Sequence, residues 1–168
     1  MKDTDKKLSV EYMMTRGPWT VFDFPEEYVP FGQYRPPTFL FGIQITPEDF
    51  LRYAEKQDLI KSDVDFTWPC RAILHLTKVC GVPVSLQDIY GSDMHYVLCL
   101  CSNYNVGQKY PLKEAVILVE ELKKAGILVK IRWFLKRTPG EELEPELNWE
   151  DEYHRAAESY ERRLRARK

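Results

Sequence analysis

Between Tyr12 and Phe41 the chain carries nine aromatic side chains in 30 residues, and Pro18, Pro25, Pro30, Pro36 and Pro37 are interleaved with them. Prolines at this density exclude a helix, because each fixes φ, removes an amide donor and pushes the preceding residue toward extended backbone. Aromatics at this density exclude a loose linker, because leaving so much apolar surface in water is costly. The segment must be an extended arm that lies on something. Its own domain is the expected support, and a partner chain or a second copy is the alternative. Residues 1–15 before it are polar and charged, so a flexible N-terminus is expected there, with the arm proper over 16–37.

The rest of the chain is large enough to be that support. With 168 residues, 44% of them hydrophobic and 30% charged, one domain with a proper core is expected and wholesale disorder is excluded. The 24 cations and 26 anions leave a net charge of -2, so any contact with nucleic acid would have to come from a local patch. No apolar run approaches the length of a membrane span, and the polar start shows no secretory signal. Cys70, Cys80, Cys99 and Cys101 are therefore expected as reduced thiols in a cytoplasmic or nuclear protein.

Hydrophobic periodicity divides residues 38–137 into elements. Phe39, Phe41, Ile43 and Ile45 alternate as a strand. Thr46-Pro47-Glu48-Asp49 opens a helix, with Thr46 as N-cap and Pro47 in the first position. A second helix is expected from about Thr67 to Cys80, with Cys70, Ile73, Leu74, Thr77 and Cys80 as its buried stripe and Gly81 as terminator. Val82 to Ser85 reads as short and extended, and Ser85 to Asp88 as the cap of one further helical turn before Gly91. Met94 to Cys101 is apolar on both sides and reads as a central strand. Pro111 opens a helix over Leu112 to Ala125, with Leu112, Ala115, Val116, Val119 and Leu122 facing the core. Ile127 to Arg137 alternates as a last strand. Residues 138–146 read as a linker, and a charged helix follows over 147–168.

The expected fold class is α/β (or α+β): a small, mostly three-stranded sheet packed with helices, in the order β-α-α-β-α-β-α. To this are added the extended aromatic arm and the C-terminal helix. The central strand, the helix after it and the last strand look like a crossover unit, which predicts that those two strands run parallel.

No catalytic constellation is legible. Cys99 and Cys101 share one strand face with His95. His95 and Cys99 would then be about 13 Å apart, too far for a nucleophile and its base. The thiols lack zinc spacing, so no metal and no cofactor are expected. The loop after the central strand is the best place for a ligand, because anions and small molecules bind where a strand's carboxyl end leads into a helix start. Ser102, Asn103, Asn105 and Lys109 would supply the contacts there, joined by His75 from the second helix. No glycine-rich nucleotide fingerprint accompanies them. Lys130, Arg132, Lys136 and Arg137 with Phe134 form a basic strand over 128–137 that could hold single-stranded nucleic acid, although lysines on a strand also serve to block aggregation. In the last helix Trp149, Tyr153, Tyr160 and Leu164 form a narrow stripe suited to docking.

These features predict a non-catalytic protein-interaction or scaffold module, with a protein partner or self-association as a homodimer and no membrane partner. The alternative is a small-molecule-binding protein or enzyme with a pocket near the end of the central strand (95–110). Nucleic-acid binding through the basic strand is the third reading and the least expected.

Overall fold

The computed structural model describes residues 7–90, 96–106 and 110–137. The first element with a described range is α1 (Val10–Arg16), inside the stretch where a flexible start is expected. The Ser9 hydroxyl caps it by accepting from the Tyr12 amide, and Met13 is buried. A single turn of 3-10 helix (Glu26–Tyr28) follows within the arm. Then come β1 (Phe39–Ile45), α2 (Pro47–Lys56), α3 (Trp68–Cys80), β2 (Ser85–Asp88), β3 (Tyr96–Ser102), α4 (Leu112–Lys124) and β4 (Ile131–Leu135).

The sheet has four strands in the order β2-β3-β1-β4, and every neighbouring pair is antiparallel. Two expectations are corrected here. Ser85 to Asp88 is a strand, not a helical turn. Only Leu86 in it is strongly apolar, so no alternation marks it; the ladder to β3, with Leu86 opposite Leu98, makes it a strand. Second, the strands on either side of α4 do share a direction, but β1 lies between them. β1 is antiparallel to both, so the crossover is split and contains no parallel ladder. The fold is α+β with the split β-α-β-β-α-β connectivity of ferredoxin-like proteins, and two helices occupy its first crossover.

Thr46 behaves as the sequence requires. Its hydroxyl accepts from the Asp49 amide at 3.2 Å, and Pro47 opens α2. The face of β1 bearing Phe39, Phe41, Ile43 and Ile45 is divided between two covers. Ile43 and Ile45 pack with Leu98 under the three helices, against Tyr53, Leu76 and Leu118. Phe39 and Phe41 pack with Trp133 and Leu135 under the arm, against Met13, Trp19 and Tyr28. The arm therefore wraps its own sheet. Phe24 stacks on Trp133 at 4.5 Å between centroids, and Trp19 meets Phe39 edge-on at 5.4 Å.

The opposite face holds a second small core of Leu40, Val97, Cys99 and Phe134, joined by Ile89. The chain after β2 crosses to the far edge of the sheet. Ile89 bridges Lys136, the Tyr90 amide donates to the Leu135 carbonyl at 3.2 Å, and the Arg137 amide donates to the Asp88 carbonyl at 3.1 Å. The two edges of the sheet are thus tied together at one end, and this face closes on itself. Edge ties of this kind remove the row of unpaired groups on which a strand edge would aggregate.

Candidate functional site

The loop after β3 was the expected ligand site, and its polar groups are spent on the chain itself. Asn103 is buried. Its Oδ1 accepts from the Phe39 amide at 2.9 Å, and its Nδ2 donates to the carbonyls of Tyr28 at 2.8 Å and Pro37 at 2.9 Å. One side chain thereby joins the β3 loop, the head of β1 and the arm. Asn105 Oδ1 accepts from the amide and the hydroxyl of Ser102, three residues earlier, which closes the loop on itself. The Tyr104 hydroxyl donates to the Pro36 carbonyl, another tie from this loop to the arm. Asparagine gives no distinguishing signal in sequence between a ligand contact and a backbone staple. Lys109 lies outside the described residues. His75 is remote from this loop in its bonding: its Nδ1 is hydrogen-bonded to the Tyr53 hydroxyl at 2.8 Å, between α3 and α2.

The thiols do not form a pair on one face. The pairing register between β1 and β3 shifts at Phe41/Gly42, so Cys101 stands opposite Phe41 while Cys99 stands opposite Gly42. This bulge turns Cys101 toward the core under the arm and leaves Cys99 in the second core. The close approach of β3 here requires glycine at 42, since a Cβ would collide with the Leu98 carbonyl. Burial pushes the Cys99 thiol up to about 11 and the Cys101 thiol up to about 12. Both are protonated at neutral pH and poor nucleophiles. Cys80 is also buried and its thiol raised by burial; Cys70 is exposed. Among the described residues no group of three His, Cys, Asp or Glu side chains is placed to hold a metal ion. His95 lies outside them.

The basic strand lacks a stacking platform. Phe134 is only 8% exposed and belongs to the second core, so it cannot lie against a base. Arg132 faces the turn at Thr20–Asp23, where its charge helps hold the Asp23 carboxyl below its ordinary range, after the hydrogen bond from Thr20.

The helix layer departs most from expectation. In α3 the buried positions are Ala72, Leu76 and Cys80, not Cys70 and Leu74. In α4 they are Ala115, Leu118, Glu121 and Leu122, not Leu112 and Val116. The apolar residues read as core therefore divide between two sides of each helix. Leu74 is 67% exposed, and Cys70 lies one turn before it. Phe66, just ahead of the helix, is 89% exposed. Cys70 and Leu74 are four residues apart on the helix and so share one outward face; Phe66 lies in the turn just before it. Arg71, on the flank, pairs with Asp65 and donates to the Leu59 carbonyl at 2.8 Å, which pins the loop before α3.

A groove of about 300 Å³ lies between α1, the start of the arm and the edge of β4. Met13, Met14, Trp19, Ile89, Trp133 and Leu135 line it, and none of the loop residues Ser102, Asn103 or Asn105 does. The groove was not legible in sequence, because its walls come together only through the ties at Trp19 and Ile89. The expected docking stripe of Trp149, Tyr153, Tyr160 and Leu164 lies outside the described residues, as do the linker and the last helix. Comparison with known family models, with curated proteins and with solved structures returns no match.

Proposed function

We propose that this chain is a non-catalytic protein-interaction module that self-associates through the outward face of α3. The observation that carries the reading is the line Phe66–Cys70–Leu74, exposed just ahead of and along a helix whose other side is fully buried. A helix with apolar residues on two sides belongs between two surfaces, and its own domain covers one of them. Leaving the line in water forgoes roughly 25 cal/mol for each Å² that a partner would cover.

The ends of the line favour a second copy as the partner. Asp63 lies at its N-terminal end and Lys78 at its C-terminal end, and both are exposed. Two copies related by a two-fold axis near Cys70 and Leu74 would run antiparallel and bring each Lys78 toward the other chain's segment ahead of the helix, the one that carries Asp63. The polar side chains of the expected ligand loop and the buried thiols argue in the same direction, since they are bonded internally or held neutral.

Alkylation of Cys70 tests this reading in the intact protein. Its rate should fall as protein concentration rises, and Leu74→Asp should restore the fast rate at every concentration without changing the melting temperature. A Cys70 rate independent of concentration in the unsubstituted chain would overturn the reading.

A further inference from the structure

We propose that the groove beside β4 is the seat of the chain's own C-terminal segment, anchored by Trp149. The inference goes beyond the α3 reading and concerns a different surface. The groove is walled by two thioethers, two indoles and aliphatic side chains, from Met13, Met14, Trp19, Trp133, Ile89 and Leu135. Methionine walls adapt to the shape of a ring and make favourable sulfur–aromatic contacts. At about 300 Å³ the groove is at the lower limit for small-molecule sites, which suits one or two aromatic side chains better than a cofactor.

The path of the chain selects the occupant. Leu135 lines the groove, and two residues later the Arg137 amide is bonded to the Asp88 carbonyl beside Ile89. The chain therefore leaves β4 at the rim of the groove. Beyond it come 31 residues, in which Trp149, Tyr153, Tyr160 and Leu164 recur at helical spacing. Trp149 lies 12 residues past Arg137. An extended connection of that length reaches roughly 40 Å, so the ring can return to the groove without strain. Tethering gives the segment an effective concentration on the order of millimolar, which a second chain in dilute solution does not match.

Charge points the same way. Residues 138–152 contain seven carboxylates and no Lys or Arg. Lys136 and Arg137 directly follow the lining residue Leu135. An acidic connection that starts beside these two cations is attracted to them at distances below the Debye length, about 8 Å at physiological salt.

The test is nuclear Overhauser contact between methionine methyl groups and indole protons in the full chain. The Met14 methyl should show cross-peaks to the Trp149 indole, lost in Trp149→Leu and replaced by ring contacts in Trp149→Phe. In a mixture of differently labelled chains these cross-peaks should arise only within one chain. Absence of any Trp149 contact at Met13 or Met14, with the Trp133 indole resonance unchanged in Trp149→Leu, would overturn the proposal. Cross-peaks between differently labelled chains would overturn it as well, since the occupant would then be a second copy.

Discussion

Asn103 makes three hydrogen bonds: those to the Tyr28 and Pro37 carbonyls hold the arm, and the one from the Phe39 amide ties the β3 loop to the head of β1. Replacing it with alanine would leave a buried amide and two carbonyls without partners, and a neutral bond of this kind is worth about 1 kcal/mol net while an orphaned group costs about 1–3 kcal/mol. Asn103→Ala should therefore lose about 2–4 kcal/mol in urea unfolding, with protease cleavage between Trp19 and Tyr34 appearing first. Unchanged stability would show that the arm is held elsewhere. Gly42 makes a sharper demand. Gly42→Ala forces a methyl group into the Leu98 carbonyl and should cost about 1–3 kcal/mol, as overpacking does. An unshifted denaturation midpoint would mean that β3 can retreat freely. The buried thiols set a pH dependence. Cys99 and Cys101 keep their protons to about 11 and about 12, above the ordinary value of 9.0 that an unfolded chain would show. The folded state binds more protons in that window, so stability is whole below pH 9.0 and is lost as the pH rises toward 11 and 12. Urea midpoints should fall from about pH 8 to about pH 10.5, and should fall less when both residues are alanine. Equal slopes in the two proteins would remove the thiols as the cause.

At the scale of elements, legibility followed how local each determinant is. The start of α2 was readable from Thr46, Pro47 and Asp49, because a cap is made by residues three apart. Thr46→Ala should cost about 1 kcal/mol by thermal unfolding, and no loss would mean that another group takes over the Asp49 amide. The arm was readable because prolines and aromatics leave few other solutions, although Phe22 and Phe31 stay in water. β2 was missed because Ser85-Leu-Gln-Asp has no pattern of its own and depends on a ladder to residues about ten positions away. The pairing of Cys99 with Cys101 on one face failed at a bulge, which no periodicity announces. In α3 and α4 the buried stripe was misplaced because apolar residues occupy too many helical angles. Sequence gives the width of such a surface, but only the sheet's position decides which part of it is buried.

At the scale of the molecule, both faces of the sheet carry apolar cores. Helices and arm share one face, and the ties from Asp88 to Tyr90 fold the other inward. Among the described residues no helix is long and apolar enough to cross a membrane. The candidate ligand loop was legible as a loop but not as a staple, since that role depends on carbonyls from Tyr28 and Pro37, more than sixty residues away. Phe66, Cys70 and Leu74 stay exposed on the helix layer, as Phe22, Phe31 and Leu128 do elsewhere, and self-association through α3 is the central claim. Light scattering on the full chain over a range of concentrations tests it most directly. The claim predicts a two-chain mass that reverts to one chain in Leu74→Asp with the fold intact; a one-chain mass for the unsubstituted protein at the highest concentration reached would contradict it.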